Sequence, residues 1–497
     1  MKILLTTLNS KYVHSNLALK YMYHVAVSHL DEAQVVLQEF TINNPEEYVY
    51  GEIVRGDYDL VCFSVYIWNV VKTKALAAKI KDACPDVKIL MGGPEVSFNA
   101  EELMETESYV DYVLCGEGEE AFGEFCQMLA AGERLPERQV IRNTSPENTA
   151  NLVSPVRPEI IPFPYEKLPV EPDKVVYYES SRGCPYRCAY CLSSIDKGIR
   201  TLPLERVKRE LSFFIEQEVK QVKFIDRTFN YDRNRTYEIW EFLIDNDNGK
   251  TNFHFEICGD LLDDRLLSLL ERARPGLFQF EVGIQSTCEE ALAAVNRSRE
   301  TVGLFENIRR VIALGNIHMH VDLIAGLPYE DYKRFGQSFN DVYALGADNL
   351  QLGFLKLLKG TAIRDYVEPG QYKYGALAPY EIISNKWISA RELVQLKMIE
   401  NLLDLYDNKG GFSLSLKVLM EELQLEPFEF YERFSEFFYE SGYQHRSHKK
   451  EDLYRIMNKF AESENLGQRI KECLGQDLEA TMNFDAVKKF YRKGWNI

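Results

Sequence analysis

The chain contains the stretch Ser181-Arg182-Gly183-Cys184-Pro185-Tyr186-Arg187-Cys188-Ala189-Tyr190-Cys191, in which three cysteines follow the spacing C-x3-C-x2-C. A structural zinc site normally has four ligands, and no fourth Cys or His lies nearby in the sequence. Closely spaced thiolates are typical of iron–sulfur clusters, and ordinary electron-transfer clusters use four of them. Three thiolates leave one iron open to a further ligand. We therefore predict that Cys184, Cys188 and Cys191 hold a [4Fe–4S] cluster.

The residues around this stretch alternate between strand and helix patterns. A first strand is predicted just before the cysteines. The strand candidates are residues 175–179, 222–225, 253–257, 277–282, 318–324 and 349–354. Six strands with helices between them predict a partial, six-stranded TIM-type barrel over residues 175–370. The active sites of such barrels lie at the C-terminal ends of the strands, which is where the cysteine stretch falls.

The first 141 residues show a second alternation of buried strands and helices. The strand candidates are residues 2–7, 35–40, 59–65, 87–91 and 110–115. This α/β pattern predicts a parallel sheet with helices on both faces, as in a doubly wound, Rossmann-like domain. Two glycine-rich turns, Gly92-Gly93-Pro94-Glu95 and Gly116-Glu117-Gly118-Glu119, end two of the strands. Ligands in such sheets bind beyond these strand ends.

The remaining segments are predicted to differ from both α/β regions. Residues 142–174 contain seven prolines, which prevent regular structure and predict a linker or an extended wrap. From residue 371 the strand pattern disappears and helical patterns dominate, so residues 371–497 are predicted to form a helical C-terminal domain.

The bulk properties narrow the class of protein. The 497 residues are 45% hydrophobic and 27% charged, a globular mixture. A net charge of −18 weighs against non-specific nucleic-acid binding, although a local basic groove for RNA is not excluded. We expect no membrane insertion, because no run of about 18 apolar residues occurs. We also expect a cytoplasmic protein, because the N-terminus lacks a signal-peptide layout.

The cysteine stretch, with an aromatic residue before the last cysteine, resembles the motif of the radical S-adenosylmethionine (SAM) superfamily. Three later segments are similar to that family's SAM-binding segments: Phe224–Phe229, Glu281–Ser286 and Val321–Pro328. The resemblance implies that SAM binds the open iron. It implies SAM contacts from Tyr190, Asp226, Glu281, Gln285, Ser286 and Asp322. For Asp226 a plain solvent-facing turn is the alternative.

The two glycine-rich turns, upstream of such a barrel, resemble the cobalamin-binding domain of the cobalamin-dependent radical SAM branch. The resemblance implies cobalamin contacts from Gly92, Gly93, Pro94, Glu95, Gly116, Glu117 and Gly118. The alternative is a relic domain that binds nothing or shapes a substrate groove.

The lower face of such a cobalamin is less well defined by the sequence. His14 matches the position of a cobalt-ligating histidine, but Tyr12 and Leu17 replace the usual Asp and Gly. A helix-start or substrate-facing histidine is the alternative. Ser64, Tyr66 and Trp68 are candidates to line this face, and core packing is the alternative for them.

The resemblance implies an enzyme. The leading hypothesis is reductive cleavage of SAM to a 5′-deoxyadenosyl radical, followed by methyl transfer from methylcobalamin to an unactivated carbon or phosphorus. The alternative is a cobalamin-assisted oxidation, cyclisation or ring rearrangement without methyl transfer. A non-enzymatic corrinoid or redox sensor is a third hypothesis. An electron donor such as a flavodoxin or ferredoxin is implied, and the substrate is left open.

Overall fold

The computed structural model describes residues 1–142, 155–196, 198–483, 485 and 487–488. The first six strands are β1 (Ile3–Asn9), β2 (Val35–Thr41), β3 (Leu60–Ser64), β4 (Lys88–Gly92), β5 (Tyr112–Leu114) and β6 (Gln139–Ile141). Six helices lie between them: α1 (Leu17–Ala26), α2 (Glu46–Arg55), α3 (Val70–Ala83), α4 (Pro94–Ser97), α5 (Ala100–Thr106) and α6 (Glu119–Ala130). The strands pair in parallel in the order β2-β1-β3-β4-β5-β6.

This sheet is covered on both faces, which is why β1 is buried along its whole length. One core contains Val49 of α2 and Leu76 of α3, and a separate core contains Leu19 of α1 and Phe122 of α6. The doubly wound sheet predicted from the sequence is thus confirmed, with β6 as an additional strand. The strand order changes direction between β1 and β3, so a crevice opens at their carboxyl ends.

The second α/β region contains eight strands: β7 (Val176–Tyr178), β8 (Ser181–Arg182), β9 (Arg200–Thr201), β10 (Gln221–Phe224), β11 (Asn252–Glu256), β12 (Phe278–Gln285), β13 (His318–Ala325) and β14 (Asn349–Phe354). Its helices are α7 (Leu204–Glu216), α8 (Arg233–Asp245), α9 (Asp264–Leu270), α10 (Glu289–Ala294), α11 (Val302–Leu314) and α12 (Tyr332–Tyr343). β8 and β9 form a small antiparallel hairpin, and the other six strands pair in parallel in chain order. The six predicted barrel strands are all present.

The barrel is open on one side, because β7 and β14 are the two edges of its sheet. The N-terminal domain contacts the chain near both edges. Next to β7, the amide of Val175 donates to the carbonyl of Val13 at 2.8 Å. Beyond β14, Lys359 Nζ donates to the carbonyl of Glu95 at 3.3 Å. The carboxyl edge of the N-terminal sheet therefore covers the open side of the barrel.

The predicted linker, residues 142–174, is described from residue 155 onward, and residues 143–154 lie outside the described residues. The described part has two short 3-10 turns, Pro158–Ile160 and Pro164–Glu166. Phe163 and Tyr165 are buried and pack edge-on against Phe214 of α7. This part of the segment wraps the outside of the barrel.

The last region contains a two-stranded antiparallel sheet, β15 (Lys373–Tyr374) and β16 (Ile382–Ser384), before its helices. The helices are α13 (Ala390–Leu403), α14 (Ser413–Leu423), α15 (Pro427–Glu440), α16 (Lys450–Ser463) and α17 (Gly467–Thr481). The expectation that strands disappear after residue 371 is wrong for this hairpin, because strands of two and three residues are too short to show an alternating pattern. Among the described residues, we find no helix with the length and apolar composition that a membrane crossing needs.

One buried carboxylate joins two helices of this region. α14 follows Phe412, which offers no side-chain cap. Asp477 of α17 replaces that cap: its carboxylate accepts hydrogen bonds from the amides of Leu414 and Ser415, at 3.1 and 2.8 Å, and from the Ser415 hydroxyl at 2.7 Å. Both carboxylate oxygens are used.

We expect Asp477→Asn to destabilise the C-terminal helices by about 1–3 kcal/mol, because the amide nitrogen must then face a donor. The measurement is the thermal transition followed by circular dichroism. Asp452→Asn is the control, since Asp452 is partly exposed and its ion pair within the described residues is with its helix neighbour Arg455. Equal effects of the two substitutions would contradict the capping role.

Candidate active site

The cysteine loop lies inside the β8–β9 hairpin, directly after the first barrel strand. Cys184 and Cys188 are each 8% exposed, and Cys191 is half-buried. Gly183 has a φ of +90°, and a Cβ there would lie 2.1 Å from the Gly198 carbonyl oxygen. Only glycine fits between the two sides of the hairpin. In the described part of the chain, no three His, Cys, Asp or Glu side chains gather around a position for a single metal ion.

An arginine that the sequence analysis did not single out lies beside the thiols. Arg297 Nη1 is 3.7 Å from Cys188 Sγ and 3.2 Å from the Tyr190 hydroxyl, and Nη2 donates to the carbonyl of Gly283. Burial raises the pKa of the Cys188 thiol, and the charge of Arg297 opposes that rise. Arg297 thus joins the cysteine loop to β12 and places a positive charge next to the thiols.

Asp226, a predicted SAM contact, has its carboxylate occupied by protein donors. It accepts from the amide and the hydroxyl of Ser180, at 2.8 and 2.6 Å, and from the Ser181 hydroxyl at 2.6 Å. The side chain is 1% exposed. In this geometry Asp226 holds the start of the cysteine loop.

The inside of the barrel is polar. Glu281 of β12 accepts from Lys223 Nζ at 3.0 Å and lies 3.1 Å from His254 Nε2. Burial alone would raise the pKa of Glu281, but the His254 hydrogen bond and the Lys223 charge lower it to about 2. Glu281 is therefore an ion-paired carboxylate of the barrel interior.

Two other predicted SAM contacts have buried atoms without a hydrogen-bond partner among the described residues. These atoms are Gln285 Oε1 and Asp322 Oδ1. A bulge shifts the register of β12 between Gly283 and Gln285. Burial, together with the charges of Glu281 and Glu256, raises the pKa of Asp322 to about 8. Buried polar atoms normally have partners, so these two fit a polar ligand such as SAM.

Ser286 is bonded within the protein. Its hydroxyl donates to Glu330 Oε1 at 2.8 Å, and the Ser338 hydroxyl donates to the same oxygen at 2.7 Å. This network links the end of β12 to α12. The role of Ser286 in the described geometry is to hold the strand end that carries Gln285.

Ser64 is the last residue of β3, and Tyr66 and Trp68 follow it at the crevice of the N-terminal sheet. The rings of Tyr66 and Trp68 stack at 4.4 Å with 6° between their planes, and Trp68 is 43% exposed. Asn69 donates to Thr7 Oγ1 and to the carbonyls of Leu8 and Ser64, at 3.1–3.2 Å. This amide fixes β1 and β3 together where the crevice opens.

The first glycine-rich turn has a backbone that other residues cannot adopt easily. Gly93 has a φ of +108°, and a Cβ there would lie 2.5 Å from the Val65 carbonyl oxygen. The absence of a side chain at Gly93 lets this turn approach the backbone that follows β3, so both segments end at the crevice where a corrin ring would lie. Glu95 is not free to face it, because it pairs with Lys359 at 2.9 Å and accepts from the Tyr380 hydroxyl.

The second glycine-rich turn is tied to the barrel by its carboxylates. Arg182 of β8 contacts both Glu117 and Glu119, with the shortest distance 2.6 Å to Glu119. Arg200 of β9 forms an ion pair with Glu117. The structure thus brings the predicted cobalamin-binding turn and the cysteine loop together.

His14 lies against the barrel. Its Nδ1 is 2.7 Å from the Tyr177 hydroxyl of β7. Burial, with the charges of Lys11 and Lys223, lowers the pKa of the imidazole. One ring nitrogen is thus engaged by the barrel, and the position of His14 as a cobalt ligand stays a prediction.

Three family models match this chain. The B12 binding domain matches residues 3–126, and the Radical SAM superfamily matches residues 178–342. The chain thus combines a B12 binding domain with a Radical SAM domain, which is the combination that the sequence analysis predicts. A third model, described as a protein of unknown function (DUF4080), matches residues 370–495. These matches confirm the predicted family and the predicted fold class. They also confirm the predicted cofactors, for which the domains are named.

The curated relatives of this chain share only a low sequence identity with it. The 2-(S-pantetheinyl)-carbapenam-3-carboxylate methyltransferase of Streptantibioticus cattleyicolor is 27% identical over 313 residues, 58% of this chain and 45% of that protein. The alignments thus span about half the length of the curated relatives.

Two solved structures of the family share the fold. OxsB, a cobalamin-dependent SAM radical enzyme solved with aqua-cobalamin and SAM, is 14% identical and covers 99% of this chain and 84% of its own, with a TM-score of 0.63. TsrM from Kitasatospora setae, a radical SAM methyltransferase solved with tryptophan and a SAM analogue, is 18% identical and covers 76% of this chain and 80% of its own, with a TM-score of 0.58. The fold likeness to OxsB includes the C-terminal region.

Asp322 and Glu281 should give opposite dependences of stability on pH. The pKa of Asp322 is raised from 3.8 to about 8 by folding, so its contribution to stability is lost as the pH rises from about 4 to 8. The pKa of Glu281 is lowered from 4.5 to about 2, so its contribution is present above pH 4.5 and is lost as the pH falls towards 2.

At pH 8.5, Asp322→Asn should raise the melting temperature and Glu281→Gln should lower it, by roughly 2–4 °C per kcal/mol. At pH 4.5 the effect of Asp322→Asn should shrink strongly, because Asp322 is then protonated when folded. Differential scanning fluorimetry at both pH values is the measurement. A pH-independent effect of Asp322→Asn would show that its carboxyl is ionised throughout.

Proposed function

We propose that this chain is an enzyme that cleaves SAM reductively and transfers methyl groups to an unactivated carbon or phosphorus centre of its substrate. The observation that carries the proposal is the placement of the N-terminal crevice. The crevice covers the open side of the barrel, and its second glycine-rich turn is joined to the cysteine loop through Arg182. A cobalamin in that crevice would face the mouth of the barrel, where SAM is expected.

The residues for each group are distinct. Cys184, Cys188 and Cys191 would hold the cluster, and Gln285 with Asp322 would give the buried partners of SAM. The backbone of the glycine-rich turns and the Tyr66–Trp68 pair would hold the corrin. When bound, the cluster supplies the electron that breaks the C–S bond of SAM, and the cobalamin supplies the methyl group.

The chain also closes the site against water. Tyr372 Oη and Asn385 Nδ2, on either side of the β15–β16 hairpin, donate to the carbonyl of Gly326 at 3.1 and 3.0 Å. At the other end of the same hairpin, the Tyr380 hydroxyl donates to Glu95. The hairpin therefore bridges the proposed SAM segment and the proposed cobalamin turn, and it restricts solvent access to a radical formed between them.

Two parts of the proposal lie outside the chain. The electron comes from a separate donor, such as a flavodoxin or a ferredoxin. Ten cysteines with no disulfide among the described residues are compatible with a reducing cytoplasm, where such donors occur. The substrate class is a matter for experiment.

The test uses the full chain reconstituted anaerobically with iron, sulfide and hydroxocobalamin, then reduced and given SAM with a CD3 methyl group. We expect about four irons and one cobalamin per chain, the CD3 group on the bound corrinoid, and both S-adenosylhomocysteine and 5′-deoxyadenosine by mass spectrometry. The triple variant Cys184→Ala/Cys188→Ala/Cys191→Ala should lose iron and deoxyadenosine but keep cobalamin. Cys126→Ala, a buried cysteine of α6, is the control.

Two outcomes would overturn methyl transfer. Deoxyadenosine without S-adenosylhomocysteine and without labelled corrinoid would favour the cobalamin-assisted oxidation, cyclisation or ring rearrangement. A cluster without any corrinoid would remove cobalamin from the mechanism.

Arg297 gives a second prediction. Its guanidinium lies beside Cys188, where the carboxylate of SAM would reach the open iron, and a charged hydrogen bond contributes about 1.5–3 kcal/mol. Arg297→Gln should therefore raise the SAM concentration for half-maximal deoxyadenosine formation by roughly 10- to 100-fold. Arg299→Gln, at an exposed position two residues away, should leave it within about twofold. Equal effects would argue against a contact between Arg297 and SAM.

A further inference from the structure

A group of buried charges lies where the second glycine-rich turn meets the cysteine loop. The side chain of Arg182 is 10% exposed. Its three nitrogens reach three carboxylates: Glu117 at 3.2 Å, Glu119 at 2.6 Å and Glu179 at 2.8 Å. The guanidinium also lies over the ring of Tyr21 of α1, 5.6 Å from its centroid. Arg182 is thus surrounded by groups of the N-terminal domain on one side and by Glu179, directly after β7, on the other.

The opposite strand of the hairpin is held by the same turn. Arg200 of β9 donates Nη1 to Glu117 Oε2 at 2.8 Å, and its Nη2 forms an ion pair with Glu117 Oε1. β8 and β9 pair with each other through Ser181–Thr201 and Arg182–Arg200. Because the three cysteines lie between these two strands, Glu117 holds both ends of the cysteine loop.

Protein donors already engage both oxygens of the Glu117 carboxylate. Oε2 accepts from Arg182, from Arg200 and from the amide of Val156 at 2.7 Å, and Oε1 accepts from Arg200. A buried ion pair contributes little net stability, but it is strict about the distance and orientation of its partners. An arrangement of this kind fixes the position of a loop.

We propose that Glu117, acting through Arg182 and Arg200, is a positioning residue that fixes the cysteine loop against the N-terminal domain, and that it is not a ligand of cobalamin. This inference rests on the proposed function, because the separation that Glu117 fixes is the one between the two cofactors. Under this inference, the role of Glu117 is to set the separation between the two cofactor sites.

The experiment compares Glu117→Gln, Arg200→Gln and their double variant in the reconstituted full chain. Gln has the shape of Glu but no charge, so Arg200 loses its ion pair with Glu117, whereas Arg182 keeps Glu119 and Glu179. The readouts are iron and cobalamin per chain, hydrogen–deuterium exchange of residues 181–201, and the electron paramagnetic resonance spectrum of the reduced cluster with and without SAM. Glu107→Gln is the matched control, because Glu107 pairs with Lys74 within the N-terminal domain.

We expect Glu117→Gln to keep cobalamin and iron at wild-type content. Amide exchange in residues 181–201 should rise at least fivefold, and the fraction of clusters whose spectrum shifts on SAM addition should fall at least threefold. Arg200→Gln should reproduce both changes. The double variant should exceed the larger single effect by less than twofold, because both substitutions break the same contact. Glu107→Gln should change neither readout.

Loss of cobalamin in Glu117→Gln with an unchanged cluster spectrum would overturn the inference and make Glu117 a corrin contact. Unchanged exchange and spectra in both single variants would also overturn it. If Glu117→Gln does not fold, Glu117→Asp keeps the charge but shortens the side chain, and the same readouts decide with it. A wild-type chain that binds no corrinoid would end the proposed function, whereas exchange in residues 181–201 would still decide whether Glu117 holds the loop.

Discussion

The radical SAM barrel of this protein is incomplete, and this shapes how the domains are arranged. Six parallel strands that do not close leave β7 and β14 as edges, and the polar interior between them would be open to water. The N-terminal domain covers this opening: it contacts the chain beside both edges, through Val13 and through Glu95. The part of a doubly wound sheet that reaches the barrel is its carboxyl edge, which is also where such sheets bind ligands. By covering the barrel, this edge therefore also brings the proposed cobalamin turns next to the barrel mouth, where we propose that SAM binds.

The contacts between the two domains at this edge are largely charged. Glu117 and Glu119 meet Arg182 on one side of the opening, and Glu95 meets Lys359 on the other. An apolar interface of similar size would tolerate sliding, because the hydrophobic effect has no direction. Ion pairs with hydrogen-bonding geometry do not tolerate it, at the cost of removing charges from water. An ion-paired interface suits a site where the relative position of two reacting groups matters more than the stability of the interface.

The sequence predicted those features whose determinants are local. The N-terminal strand β1 is buried along its whole length, the barrel strands β12 and β13 alternate between buried apolar and more exposed polar residues, and the three cysteines fall within eight residues. Features built from distant residues were missed. Arg297 is 109 residues from Cys188, Arg200 is 83 from Glu117, and Lys359 is 264 from Glu95. No periodicity or motif joins such pairs. The β15–β16 hairpin was missed for a different reason: its strands are too short to have a pattern. The family resemblance predicted Asp226 as a site residue. Its hydrogen bonds from Ser180 and Ser181, which give it a structural role, are visible only in the three-dimensional structure.

Hydrogen-bond satisfaction separates the predicted site residues into two groups, and that separation bears on where the substrate is recognised. Asp226, Glu281 and Ser286 have protein partners, so they shape the barrel. Among the described residues, Gln285 and Asp322 retain buried atoms without hydrogen-bond partners, which supports a proposed ligand side of the barrel at β12 and β13. The segment that closes over this side is the β15–β16 hairpin, which touches both Gly326 at the end of β13 and Glu95 of the first glycine-rich turn. The B12 binding and Radical SAM matches end before this hairpin, whereas the match of unknown function begins at residue 370. The two matched domains are named for B12 binding and for radical SAM chemistry, so we expect the residues that select the substrate to lie elsewhere in the chain. The hairpin is the part of the C-terminal region in contact with both proposed cofactor segments, and it is therefore the first place where substitutions should change which substrate is accepted without changing SAM cleavage.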